Sequence, residues 1–274
     1  MLPWSHKRTE LTILVRFHSK GGEIQLIRHT QMISNRRRPI LVWLAMGLGV
    51  LPLAAAPRHH KAISGKAGFA DQGTFVLTIA GREVGREKFQ IGRSASRVEA
   101  RAQIHILVMR NGKTLHFQTF PDLVLNSRLE PLLYSWSQRG SESSQLRMDL
   151  RHSPATVRYH TVKGGNDDRT LQLPRDVLVL DDNVIHQYEI AVLRFFMTSG
   201  GRQVFHAFIP QEALPGVITI QDLGQERPAA GAKAAGLHHL RVITDQARID
   251  LWTDQTHHVQ RLAIPAAQFQ AVRK

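Results

Sequence analysis

The stretch I-H-I-L-V-M-R-N-G-K-T-L-H-F-Q-T, residues 104–119, decides how the chain folds. Asn111-Gly112 at its centre suits a two-residue hairpin turn, because both central positions of that turn need positive φ. The register that follows sets Val108 opposite Leu115 and Ile106 opposite Phe117 on one face. Leu107 and His116 then meet on the other. Upstream, Phe75, Leu77 and Ile79 alternate with Val76 and Thr78, and Gly81 to Gly85 turns the chain into Phe89 and Ile91. Alternation at period two marks a strand with one face buried.

Working outward, the same pattern recurs at 132–137, 146–150, 156–162 and 169–173, and again at 204–209, 217–221, 240–244, 248–252 and 259–264. Roughly a dozen strands at short spacing predict a mainly β chain. Its expected form is one large curved antiparallel sheet, a half-barrel or open barrel. Gly224 to Gly236 reads as a loop between strands.

One segment breaks the pattern. D-D-N-V-I-H-Q-Y-E-I-A-V-L-R-F-F-M-T-S-G-G, from Asp181 to Gly201, predicts a single helix over about 183–198, with Asp182 or Asn183 as N-cap and Gly200 as the stop. Val184, Tyr188, Ala191 and Phe195 form one stripe, with Ile185, Val192 and Phe196 beside it. His186, Ile190, Leu193 and Met197 form a second, mostly apolar stripe. A helix apolar on two sides either plugs the concave side of the sheet or covers the sheet and also meets a ligand or partner. His186, Tyr188, Ile190, Leu193 and Met197 are the ligand-binding candidates on the second reading.

Composition narrows the chemistry. The chain has 274 residues and no cysteine, which excludes disulfides, thiol nucleophiles, cysteine-ligated metals and lipidated cysteines. Fifteen histidines include three adjacent pairs, His59-His60, His238-His239 and His257-His258. Neighbours on a strand point to opposite faces, so such a pair is ill suited to one ion, and no metal site is expected. Asp181-Asp182 with His186 and Tyr188 is the one compact acid–base group. Its carboxylates already suit a helix start, and His186 lies one turn from Asp182, within reach of a structural pair. No G-x-S-x-G, phosphate-binding or dinucleotide motif occurs, so no cofactor and no particular reaction is implied.

The formal charge of +14 suggests nucleic acid at first sight. Residues 1–58 hold nine Lys and Arg against two acidic residues, so half of the excess lies there. With scattered basic residues and few aromatics in the remainder, nucleic-acid binding is not expected. Arg36-Arg37-Arg38-Pro39 precedes an uncharged run from Ile40 to Ala56, the order of a secretory signal peptide. Residues 32–56 are therefore read as a signal peptide, with an uncleaved inner-membrane anchor as the alternative. Translation is expected to start at Met32, which makes 1–31 an extension foreign to the native chain; the rival is a genuine cytoplasmic extension. Residues 57–274 form a single exported β-rich domain on this reading, placed in the periplasm or cell envelope.

Four groups of residues carry a resemblance. They are G-x-F-x-L-x-I-A-G-x-E-x-G-x-E-x-F-x-I at 73–91, R-L-E-P-L-x-Y at 128–134, V-L-V-L-D-D-N-V-I-H-Q-Y at 177–188, and L-W-T-D at 251–254 with A-I-P and A-V-R in the tail. Together they resemble a group of exported bacterial proteins of unknown function, all β with one helix. In layout they are distantly similar to the half-barrel lipoprotein carriers of the bacterial envelope. The helix apolar on two sides in a sheet-rich chain carries the first reading, an exported envelope protein that binds a lipid or other apolar ligand in its concave sheet. Two alternatives stand beside it: a structural or interaction protein with an envelope partner and no ligand, and a hydrolase using Asp182 and His186. No cysteine follows the signal segment, so the chain departs from lipoproteins there.

Overall fold

The computed structural model describes residues 17–20, 23–26 and 69–274, apart from 111–112, 141–142, 162–164, 199, 227–235 and 246. The signal segment 32–56 and the turn at Asn111-Gly112 lie outside the described residues. Strands β1 (Phe17–Lys20) and β2 (Glu23–Leu26) pair with each other as a separate ladder.

Fifteen strands make one sheet. Eight run in succession, each antiparallel to the last: β3 (Phe69–Ile79), β4 (Arg82–Arg93), β5 (Arg97–Arg110), β6 (Lys113–Asn126), β7 (Pro131–Gly140), β8 (Ser144–Asp149), β9 (Ala155–Thr161) and β10 (Gly165–Leu171). The short β11 (Leu178–Val179) and the helix α1 (Gln187–Phe196) follow. The chain then returns through β12 (Arg202–Ile209), β13 (Leu214–Glu226), β14 (Leu237–Ile243), β15 (Arg248–Thr253), β16 (Val259–Ile264) and β17 (Phe269–Arg273). β17 pairs with β3, so the order runs from β10 through β3 and β17 to β12 and β11. The β11–β12 pair is parallel, and α1 is the crossover that a parallel connection needs.

The sheet is open and curved, not closed into a barrel: β10 and β11 are its two edges. Side chains bridge its ends where no ladder does. Tyr159 of β9 donates to the Pro210 carbonyl just beyond β12 at 2.8 Å, and Tyr134 of β7 donates to Asp181 just beyond β11 at 2.5 Å.

The expected hairpin forms in its expected register, with Val108 opposite Leu115, Ile106 opposite Phe117 and Leu107 opposite His116. The turn after β3 is tighter than expected. Ala80 and Gly81 alone make it, at φ 48° and 76°, while Gly85 lies within β4 beside a register shift. A Cβ on Gly85 would sit 2.2 Å from the His105 carbonyl oxygen, so only glycine lets β4 and β5 approach there.

Helix α1 lies within the curve. Gln187 to Val192 and Phe195 are all buried, and Ala191, Val192 and Phe195 are fully so. Its buried residues share one hydrophobic core with Phe75, Phe89, Phe208, Ile218, Leu251 and Leu262 of the sheet. The stripe Tyr188, Ala191 and Phe195 is buried; of the second stripe, His186 and Ile190 are buried, Leu193 is half-buried and Met197 is exposed.

Its boundaries are narrower than 183–198, for a physical reason. Asn183 has φ 60° and cannot begin a right-handed turn, and His186 occupies the cap position with no side-chain cap bond. The acceptor for the first free N–H groups comes from β4 instead. Glu87 accepts from the backbone N–H of Ile185 and of His186, both at 2.7 Å. At the other end the Thr198 hydroxyl and the Gln203 amide donate to the Phe195 carbonyl, at 2.9 and 3.0 Å.

Candidate functional site

Three sets of polar side chains hold α1 and the loop before it. The first is Glu87 with His186, both fully buried. Besides the two backbone groups, Glu87 accepts from the ring Nδ1 of His186 at 2.7 Å, while His186 Nε2 has no hydrogen-bond partner among the described residues. Phe89 stacks on the same imidazole, ring centres 6.1 Å apart. The expected Asp182–His186 pair is therefore not formed. Glu87, from a strand almost a hundred residues earlier, has taken the histidine.

The second set surrounds Asp181. Its carboxylate accepts from the Tyr134 hydroxyl at 2.5 Å and from the backbone N–H of Gln211 and of Asp182, both at 3.1 Å; its own N–H donates to Gln187 Oε1 at 2.5 Å. Burial pushes the Asp181 carboxyl up to about 6, against the pull of those donors. Asp182 is raised well above the carboxylate range, first by desolvation and then by the charges of Glu212 and Asp181; its side chain also hydrogen-bonds Glu212. These acids line one side of a cleft with Asn183, Val184, Ile185 and Tyr188. Leu262, Ile264 and Phe269 form the other side. The room inside it is about 20 Å³, space for a single water and far short of the ~300–1,000 Å³ typical of small-molecule sites.

The third set joins the helix to both ends of the described domain. Glu189, on α1, is 1% exposed. It lies 2.6 Å from His258 Nδ1 and accepts from the Val259 N–H at 2.7 Å. His258 Nδ1 also lies 3.3 Å from Asp71 Oδ2, and both Asp71 oxygens are held by the Arg273 guanidinium. Burial raises the Glu189 carboxyl, and the bond to Glu189 raises the His258 imidazole. Asp254 shapes the turn that presents His258, accepting from the N–H groups of Thr256 and His258 at 2.9 and 3.0 Å.

The ligand-binding candidates separate along the helix. His186, Tyr188 and Ile190 are interior, and of these Tyr188 lines the cleft. Leu193 is half-buried, whereas Met197, at 57% exposed, lies outside. The structure thus does not gather the five onto one surface. As the strand argument requires, His238 and His239 diverge: His238 meets Asp222 at 2.7 Å, and His239 meets Asp250 at 3.0 Å and stacks on Trp252.

Glu87, Tyr134, Glu189, Asp71, His258 and Arg273 are what reading the sequence for chemistry missed. Two of them leave a trace. Glu87 keeps step with Phe89 and Ile91 on the inward face of β4, and Glu189 keeps step with Ile185 and Val192 on an apolar stripe. A charge in phase with a buried face implies a buried partner. Each group of residues behind the resemblance also supplies a member of these sets: Glu87, Tyr134, Asp181 with His186, Asp254, and Arg273.

No family model matches the chain, and no curated protein matches it. Among solved structures, a DUF1089 family protein from Pseudomonas aeruginosa aligns at TM-score 0.40 and 13% identity, over 66% of this chain and 90% of that one. A beta-barrel-like protein of a domain of unknown function, DUF1849, from Brucella abortus aligns at TM-score 0.52 and 9% identity. That alignment covers 74% of this chain and 94% of the other. The likeness to the Brucella protein is one of fold: the described residues form a mostly β, beta-barrel-like body with an open curved sheet and one α-helix.

Proposed function

We propose that the chain is an exported protein of the bacterial envelope that presents a rigid, helix-filled β shell to an envelope partner, without catalysis and without a stored ligand. The observation that carries this reading is the interior. The space a half-barrel could offer a lipid is occupied by α1, and that helix is anchored by Glu87, Asp181 and Glu189 from inside. The basic cluster before Ile40–Ala56 supports export. Asp182 and His186, the pair of the hydrolase alternative, share no hydrogen bond, since His186 Nδ1 is held by Glu87.

Expressing the full chain in a Gram-negative bacterium tests both halves. The periplasmic fraction should hold a mature protein starting between Ala55 and Pro57, and its organic-solvent extract should contain no stoichiometric lipid. Cytoplasmic retention of the whole chain would overturn export.

A further inference from the structure

Asp71, Glu189 and His258 come from the start of β3, from α1 and from the turn before β16. One carboxylate oxygen of each acid and one ring nitrogen of His258 all lie within 4.8 Å of one another. We propose that this trio is a binding site for a divalent transition ion of the zinc type, which enters where the proton between His258 Nδ1 and Glu189 now sits.

Four observations support the assignment. The first is spacing. Tetrahedral zinc holds its ligands at ~2.0–2.2 Å, so neighbouring donor atoms stand roughly 3.3 Å apart. Here His258 Nδ1 is 2.6 Å from Glu189 Oε1 and 3.3 Å from Asp71 Oδ2, so the first pair must open by about 0.7 Å. The second is donor type. One imidazole and two carboxylates suit zinc and its neighbours and leave a fourth position for water. Calcium wants six to eight oxygens, which these three side chains do not supply.

The third is outer support, which fixes metal ligands in place. Val259 donates to the second Glu189 oxygen, Arg273 grips Asp71 from behind, and Asp254 sets the turn that carries His258. The fourth is charge and access. With Arg273 charged and the imidazole neutral, the two carboxylates leave one net negative charge for a cation. The His258 side chain, 26% exposed, opens the site to solvent, whereas Glu189 and Asp71 are 1% and 7% exposed.

Binding exchanges one proton for one ion. The imidazolium form of His258 gives its Nδ1 hydrogen, shared with Glu189 Oε1, to buffer and keeps the one on Nε2, and the freed Nδ1 lone pair and the carboxylate oxygen take the metal. The test is calorimetric titration of zinc chloride into the tag-free, chelator-treated full chain, in two buffers of different ionisation enthalpy. The expected result is one ion bound per chain with about one proton released. Glu189→Gln and His258→Gln should each weaken binding about 100-fold. Magnesium and calcium should not compete. Because both variants touch the helix, imidazole NMR of the unaltered chain is the second measurement: zinc should move the ring nitrogens of His258. Absence of binding, shifts confined to other histidines, or affinity unchanged in His258→Gln would each overturn the site.

Discussion

Glu87 and Glu83 stand four residues apart on the same strand, and removing each should have opposite consequences. Glu87 is fully buried and receives three hydrogen bonds at 2.7 Å, from Ile185 N–H, His186 N–H and His186 Nδ1. Glu87→Ala strands all three donors at the start of the only α-helix among the described residues. An unpaired buried donor costs about 1–3 kcal/mol, so the sum is ~3–9 kcal/mol, and water entering the hole offsets part of it. We expect a loss of about 4 kcal/mol, a large share of the ~5–15 kcal/mol that holds a typical domain. Glu83 is exposed and pairs only with exposed Arg86 at 2.7 Å, so Glu83→Ala should leave the denaturation midpoint where it was. The assay is urea unfolding followed by far-ultraviolet circular dichroism and by tryptophan fluorescence, with the slope checked for two-state behaviour. A loss below about 1 kcal/mol in Glu87→Ala would refute the view that this carboxylate holds the helix start, since even one stranded donor costs that much.

Other perturbations separate packing from electrostatics. Asp181 is raised to about 6 by burial, so its acid form is favoured by folding. The stability it adds is complete below its unfolded value near 4 and is lost as pH climbs through 6; a shift of two units corresponds to about 3 kcal/mol. Between pH 4.5 and 7.5, Asp181→Asn should show a flatter decline in melting temperature than the unaltered chain, and identical slopes would count against it. Gly85→Ala drives a methyl to 2.2 Å from the His105 carbonyl and should cost about 2–3 kcal/mol. Gly81→Ala has free space but φ 76°, so about 1 kcal/mol is expected there, and the reverse order in urea midpoints would be wrong for this geometry. Phe195→Ala should cost about 3–5 kcal/mol because the ring is fully buried. Met197→Ala, at a position 57% exposed, should shift the melting temperature by little.

The strands were legible because period two survives in a single sequence. The register of the hairpin at 104–119 follows from an Asn-Gly turn whose geometry is local. The helix was legible as an element but not in its bounds. Asp182 and Asn183 have the chemistry of caps, yet the acceptor that works is Glu87, supplied by a neighbour in space. The polar sets were hidden for the same reason: Asp71 meets Arg273 across 202 residues, and His258 meets Glu189 across 69. Spacing along a chain carries no information about such pairs until the order of the strands is known. What sequence does hold is the anomaly of a charge in phase with a buried face.

β17 lies in the middle of the strand order, with β3 on one side and β16 on the other. Only five residues, Phe269 to Arg273, join the half of the sheet made first to the half made last. Without that strand each half of the ladder ends on a bare edge, β3 on one side and β16 on the other. A nick or stop just before Phe269 would expose two sticky edges at once, and aggregation, rather than a slightly weakened fold, is the failure to expect.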